Sequence, residues 1–183
     1  MRLIFVILFL ICLQSHGQII NASQPYRPFV VTSVQPDKAF LTSTPSGDLR
    51  NNYGDYVGFR FKTGSLPMNV TALGRWVVSG NSGSHTIKIA TTTNTIVASA
   101  TINTSGLGVG YNYVSITPVT LAANTFYYVV SLEVNGGDKW HDQQSATSTT
   151  AGNSLASAYQ LGGTFAIGNT GQSYVPTNFK YYR

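Results

Sequence analysis

Cysteine is almost absent from the 183-residue chain, because its single copy, Cys12, lies inside an apolar N-terminal run. Residues 18–183 therefore have no disulfide, no thiol nucleophile and no cysteine-based zinc site. Charged residues make up only 9% of the sequence, and only six of them are acidic. The fold must be held together by apolar burial and hydrogen bonding, and an enzyme that needs several carboxylates is disfavoured.

Clustered basic charge and long apolar runs are also missing. The formal net charge is +5, or +4 without Arg2, but the lysines and arginines are scattered singly. Nucleic-acid binding, which relies on basic patches or stripes, is therefore not expected. The longest apolar run, Leu3–Leu13, is shorter than the roughly 20 residues of a membrane-spanning helix. We predict neither a nucleic-acid partner nor a membrane span.

The N-terminal residues have the pattern of a secretory signal peptide. Arg2 precedes the apolar run, and the small residues Ser15 and Gly17 follow it. A basic start, a short apolar centre and a small-x-small exit favour cleavage before Gln18. We therefore expect residues 1–17 to be a signal peptide and the mature protein to be secreted and extracellular.

The rest of the chain lacks a sustained helical period and instead alternates every second residue. In "YVGFRFKT", Val57, Phe59 and Phe61 share one face, and similar alternation continues through "HTIKIA", "TIVASATI", "YNYVSITPVTL" and "TFYYVVSLEV". Turn-forming segments such as "SGNSGS" and "NGGD" separate these runs. Short alternating runs with turns between them predict a single all-β sandwich or barrel.

Three segments carry a family resemblance: "NVTALGRWVVSGNSGSHTIKI", "PVTLAANTFYYVVSLEVNGGDKW" and "SYVPTNFKY". They resemble a family of secreted β-sandwich modules of unknown function, similar to jelly-roll, carbohydrate-binding domains of extracellular and polysaccharide-active proteins. The resemblance covers about residues 53–181 and implies one antiparallel β-sandwich of jelly-roll type. It transfers no catalytic residue. We expect residues 18–52 to form an N-terminal extension with the first strand or strands, and 53–183 the sandwich domain.

Catalysis finds little support in the sequence. Ser84 directly precedes His85 on one extended strand, so their side chains point to opposite faces and cannot act as nucleophile and base. Glycoside hydrolysis needs two carboxyl groups that flank the bond. The alternation places Glu133 on an outward, solvated register of its strand, and Asp138 and Asp142 lie in one loop. We therefore predict that the protein is not an enzyme.

The segment "GGDKWHD" offers the best candidate for a ligand site. Trp140 could stack on the face of a sugar ring while Asp138, His141 and Asp142 bond its hydroxyl groups. A second subsite would use Trp76 with Arg75, although the alternation of Trp76 with Val78 is more typical of a core residue than of a ligand platform. Asp138 and Asp142 could instead bind calcium through hard oxygen ligands, or the segment could be only a capped turn.

These observations favour a secreted, non-catalytic binding or adhesion module that recognises a polysaccharide or glycan. The alternative is a structural protein of an extracellular matrix, coat or mineralised layer without a discrete ligand site, with other matrix components as partners. Both suit the low charge and the abundance of Thr, Ser, Gly and Tyr. Asn21, Asn69 and Asn103 each begin an Asn-x-Ser/Thr sequence and are candidate glycosylation sites.

Overall fold

The computed structural model describes residues 36–142, 145–174 and 176–183. The predicted signal peptide, residues 18–35 of the predicted extension and the sequon at Asn21 lie outside this part of the chain. The described residues form strands, turns and bends without a helix, so none of them builds a helix that could cross a membrane. They belong to one compact unit, Val34–Arg183.

Twelve strands are found in the described part of the chain. In order they are β1 (Lys38–Ala39), β2 (Leu49–Arg50), β3 (Tyr56–Thr63), β4 (Met68–Val77), β5 (Ser84–Thr91), β6 (Ile96–Asn103), β7 (Gly110–Leu121), β8 (Phe126–Leu132), β9 (Trp140–His141), β10 (Gly152–Leu161), β11 (Thr164–Thr170) and β12 (Thr177–Tyr182).

Two antiparallel sheets form the two layers of the fold. One has the order β1-β12-β4-β7, and the other has the order β11-β10-β3-β8-β5-β6. A short two-stranded ribbon, β2-β9, is separate from both. The predicted all-β antiparallel sandwich is confirmed, while the jelly-roll type stays a prediction. Because β1 pairs with β12, part of the predicted extension contributes a strand to the four-stranded sheet.

The main core lies between the two sheets and is built from the inward half of each alternating strand. Phe40, just after β1, stacks on Phe179 of β12 with a centroid distance of 4.6 Å and contacts Phe61 of β3 at 4.8 Å. All three side chains are fully buried. Leu73 of β4 and Ile89 of β5 extend the same cluster along the sheets. Aromatic and aliphatic burial therefore supplies the cohesion that a disulfide-free chain needs.

The six-stranded sheet is curled toward its outer face. Phe165 of edge strand β11 packs on Tyr128 of β8 at 5.3 Å, and its amide donates to the side-chain oxygen of Asn94, in the β5–β6 turn. This hydrogen bond joins elements from opposite sides of the sheet. As a result, Val130 and Ala158 are buried in a second, smaller core on the outer face.

Strands β6 and β7 border a groove of about 420 Å³ on one flank of the sandwich. Each is the last strand of its own sheet, so in the described part of the chain the outer edge of each remains unpaired. Neither strand contains a charged residue. Val114 and Ile116, which line the groove, also pack on the main core, as the sequence alternation predicts.

Candidate functional site

Aromatic side chains converge on one pocket of about 180 Å³ at the β2-β9 ribbon. Its lining consists of Arg50, Tyr53, Val57, Trp140, Tyr159 and Tyr174. Tyr53, Tyr159 and Tyr174 are half-buried, whereas Val57 and Trp140 are buried. Pockets for drug-sized ligands measure roughly 300–1,000 Å³, so this one fits a smaller unit such as a single sugar ring.

The ribbon positions the charged wall of the pocket. Arg50 of β2 is the register partner of Trp140 of β9, and its guanidinium lies 5.4 Å from the Trp140 ring centroid. Arg50 Nη1 also donates to Asp142 Oδ2 at 2.6 Å, and its Nε donates to Asn52 Oδ1 at 2.8 Å. These contacts fix the side chain, so it presents a cation in a defined direction.

Polar groups remain available beside the rings. The indole Nε1 of Trp140 and Asp142 Oδ1 are both buried and have no hydrogen-bond partner. Tyr53 donates its hydroxyl to the backbone oxygen of Gln160, and burial together with the charge of Asp55 raises its pKa. An unpaired buried N–H is costly, so a ligand oxygen that reached it would gain a hydrogen bond without displacing a protein partner.

A second polar cluster lies inside the sandwich and is centred on Glu133. Its carboxylate accepts hydrogen bonds from Arg75 Nε at 3.1 Å, Arg75 Nη2 at 2.8 Å and Ser131 Oγ at 2.7 Å. His85 Nδ1 lies 3.2 Å from Glu133 Oε2. The side chains of Arg75 and Glu133 are 0% exposed. The expected outward position of Glu133 is therefore wrong: Tyr127, Val129 and Ser131 share its side of the strand, and that side faces the core.

Asp138 continues the same network toward the surface. Its carboxylate accepts from the backbone amides of Ser82 and Gly83, from Thr104 Oγ1 at 2.6 Å, and contacts His85 Nε2 at 2.9 Å. Burial opposes the charged form of Asp138, but these hydrogen bonds outweigh it and lower its pKa. The loop before β9 is thus tied to the β4–β5 turn.

His85 is arranged to carry a proton on both ring nitrogens. Its Nδ1 lies 2.9 Å from the backbone oxygen of Leu132, and its Nε2 faces Asp138. Burial alone would lower the pKa of His85, but the hydrogen bonds with Glu133 and Asp138 reverse this effect and raise it. When His85 is protonated, it and Arg75 balance the charges of Glu133 and Asp138. We call Arg75, His85, Glu133 and Asp138 the buried quartet.

The predicted stacking residue lies on the inside of the fold. Trp140 is 1% exposed and meets Tyr174 edge-on at 5.8 Å, so only the part of its ring that lines the pocket can meet a ligand. The predicted calcium ligands do not share a site. Asp138 accepts a hydrogen bond from the amide of Gly83, whereas Asp142 accepts one from Arg50. Within residues 36–142, 145–174 and 176–183, no three or more His, Cys, Asp or Glu side chains are arranged so that they could hold a metal ion.

The predicted subsite of Arg75 and Trp76 is divided between two faces. Arg75 points into the buried quartet, whereas Trp76 lies on the outer face of the four-stranded sheet, 5.0 Å from Tyr111. The ring of His141 is 6.2 Å from Trp76, and its Nδ1 contacts the backbone oxygen of Gly47. Trp76 is therefore a surface residue rather than part of the main core.

The two sequons in the described part of the chain differ in setting. Asn103 is exposed at the end of β6, and its side-chain oxygen accepts from the amide of Ser105. Asn69 lies in the middle of the four-stranded sheet, half-buried, and accepts from Thr120 Oγ1. Of the two, Asn103 is the more accessible acceptor.

Sequence reasoning missed the three tyrosines and the arginine of the pocket. Arg50 lies in the segment assigned to an extension, Tyr53 is the first residue of the predicted sandwich domain, and Tyr159 and Tyr174 lie in the C-terminal third. The pocket depends on the pairing of β2 with β9, strands of two residues each. Such short strands leave no alternation to detect, so only the density of Tyr and Asn at residues 51–56 hinted at a site.

Residues 42–182 match the family described as Domain of unknown function (DUF4082). The match includes the pocket and the buried quartet. No curated protein and no solved structure matches the chain.

Proposed function

We propose that this chain, which belongs to the DUF4082 family, is a secreted, non-catalytic binding module that recognises carbohydrate. The sugar ring enters the pocket formed by Tyr53, Tyr159, Tyr174, Trp140 and Arg50. The family match gives the bounds of the domain but no activity. The proposal therefore depends on the chemistry of the pocket and on the resemblance of residues 1–17 to a signal peptide.

The convergence of four aromatic rings on one small pocket is the observation that carries this proposal. A pyranose presents C–H groups on its faces and hydroxyl groups around its rim. Aromatic rings contact the faces, whereas the Arg50 guanidinium and the unpaired Trp140 indole N–H donate to rim oxygens. Ligand pockets are typically lined by apolar and aromatic side chains together with a few fixed polar groups, and this pocket has that composition.

A non-catalytic role follows from how the acidic residues are engaged. Glu133 and Asp138 are bonded within the buried quartet, and Asp142 bonds Arg50. Glycoside hydrolysis requires two carboxyl groups on opposite sides of one bond. The pocket lining contains aromatic residues, one valine and one arginine, so it offers binding without an acid and a base.

The test is retention of the purified protein on a panel of soluble and insoluble polysaccharides, measured beside Tyr159→Ala. Tyr159 is the better probe than Trp140, because it is half-buried at the pocket and its removal leaves the core intact. We expect the wild type to be retained by at least one polysaccharide and Tyr159→Ala to bind about tenfold more weakly, a loss of about 1.4 kcal/mol.

Tyr182→Ala is the matched control, because Tyr182 is also a half-buried tyrosine at a strand end but lies outside the pocket. Its binding should equal that of the wild type. If the folded wild type binds nothing on the panel, or if both variants lose binding equally, the pocket does not bind sugar.

The structural alternative rests on a different observation. The uncharged strands β6 and β7 lie at one flank, and in the described part of the chain the outer edge of each is unpaired. Natural proteins usually protect exposed strand edges with charges or proline. Here Pro118 of β7 is the one such protection in these two strands. A matrix or coat protein that self-associates would use this flank, and sedimentation that shows no self-association would exclude that role.

A further inference from the structure

The outer face of the six-stranded sheet carries three cations close together. Arg60 and Lys62 are on β3, and Lys88 is on β5. All three are half-buried. Their alternating register places them on the face opposite the main core, beside the second core of Tyr128 and Val130. This face is separate from the pocket of the proposed sugar site.

Each cation lies over an aromatic ring instead of a carboxylate. Arg60 Cζ is 4.5 Å and Lys62 Nζ is 5.5 Å from the ring centroid of Phe126. Lys88 Nζ is 4.2 Å from that of Tyr56. The rings hold the aliphatic stems against the sheet, so the charged groups have defined positions at low conformational cost.

Three of the six acidic residues form ion pairs away from this face. In the described part of the chain, the ion pairs join Arg50 to Asp142, Arg75 to Glu133, and His85 to Glu133 and Asp138. None of these pairs includes a cation of the outer face. The Nε of Arg60 is moreover buried and has no hydrogen-bond partner. The face therefore carries three positive charges without a protein counterion.

The spacing of the cations follows from the sheet. Arg60 and Lys62 are two residues apart, about 6.7 Å along β3. Lys88 of β5 is the register partner of Val130 of β8, and Val130 in turn pairs with Gly58 of β3. Lys88 therefore lies two strands away from β3, level with Gly58, which is two residues before Arg60. Two strand spacings are about 9.5 Å. The charges thus form a broad triangle that suits a chain with repeated single charges better than one small anion.

We propose that this outer face binds an acidic polysaccharide, whose carboxylate groups pair with Arg60, Lys62 and Lys88. Nucleic acids are bound through denser basic patches together with rings free to stack on bases. Here the rings of Phe126 and Tyr56 are already covered by cations. The apolar residues that lie between the three cations, Tyr128 and Val130, are buried rather than protruding, which disfavours a lipid surface at this site.

The experiment measures binding of the purified protein to polygalacturonate, with dextran as the neutral comparison. The triple variant Arg60→Gln/Lys62→Gln/Lys88→Gln should bind polygalacturonate at least tenfold more weakly. The double variant Lys62→Gln/Lys88→Gln keeps the Arg60 stem over the Phe126 ring and, with two of the three charges removed, should show about two thirds of that effect on a logarithmic scale. Circular dichroism confirms that each variant is folded.

The matched control is Lys38→Gln/Lys139→Gln/Lys180→Gln, which removes the same charge from other surfaces. Its binding should stay within twofold of the wild type. An equal loss in the two triple variants would mean that only net charge matters and would overturn the proposal. So would equally tight binding of single-stranded DNA or anionic vesicles through the same three residues, or no binding of polygalacturonate. Tyr159→Ala leaves the outer face intact, so the two proposals can be told apart. The pocket can fail to bind sugar while the outer face still binds polygalacturonate.

Discussion

Replacing Glu133 with glutamine should strongly destabilise the protein, although the two side chains have nearly the same volume. Glu133→Gln removes one charge and leaves Arg75 and His85 inside the sandwich with only Asp138 to balance them. Arg75 and Glu133 are 0% exposed at the side chain, so solvent does not screen the loss. Removal of one partner from a buried ion pair costs about 3–5 kcal/mol. Total stabilities are about 5–15 kcal/mol, so most of the margin is at risk.

Urea denaturation followed by tryptophan fluorescence measures the effect. With a slope of about 2 kcal/mol per M, a loss of about 4 kcal/mol moves the midpoint down by about 2 M. The double variant Arg75→Met/Glu133→Leu removes both charges and should recover much of the loss, because a buried pair often contributes little net stability. A midpoint shift below about 0.5 M for Glu133→Gln would refute the reasoning.

The pH dependence provides a second check on the buried quartet. The pKa values of Glu133 and Asp138 are lowered in the fold, so their contribution is present above about pH 4 and is lost as the pH falls through the folded-state values. The pKa of His85 is raised, so its contribution is present below about pH 6.5 and is lost as the pH rises through its folded value. In Glu133→Gln the alkaline loss should be smaller, because one of the groups that raise the His85 pKa is gone.

Three further outcomes follow from contacts in the fold. Phe40→Ala removes the ring at the centre of the main core and should lower the unfolding free energy by about 3–5 kcal/mol in urea titrations. Gly74→Ala would place a Cβ 2.5 Å from the ring of Tyr113, so a loss of about 1–3 kcal/mol and a lower Tm are expected; an unchanged Tm would show that the ring moves freely. Calcium should leave the Tm unchanged, because Asp138 and Asp142 already bond protein donors, and a calcium-dependent rise would contradict this assignment.

Alternation in the sequence was sufficient to predict β3, β5, β6, β7 and β8 and the class of fold. In "TFYYVVSLEV" it separated Tyr128 and Val130 from Tyr127 and Val129, and the structure keeps the two sets on opposite faces of β8. A period of two does not reveal which set faces the larger core. Both sets are apolar here because the curled sheet buries part of its outer face as well.

Glu133 was misplaced for this reason. A lone acidic residue near the end of a strand is typical of a solvated face. Its partner Arg75 is 58 residues away, and only the sandwich brings the two together. The buried quartet is thus a product of tertiary packing, and neither Ser84 nor the spacing around His85 predicted it.

The candidate site was predicted in part. The segment around Trp140 does reach the pocket, but the residue chosen for stacking is mostly buried, and the half-buried rings are Tyr53, Tyr159 and Tyr174. The reason is the two-residue pairing of β2 with β9, which turns the Trp140 ring inward beside Arg50. Long-range pairing of such short strands leaves no periodic signal in the sequence.

The positions of β6 and β7 restrict how copies of this protein could assemble. Both edges lie on the same flank, so two copies that pair there cover both edges of that flank and the contact closes as a twofold dimer. Growth into a fibre would require a second adhesive flank, and at the opposite side of the four-stranded sheet the edge strand is β1, only two residues long. Very short edge strands resist pairing. The short β1 thus hinders growth at the four-stranded sheet, so assembly beyond a pair would have to use β11, the seven-residue edge strand of the six-stranded sheet, which also lacks charged residues.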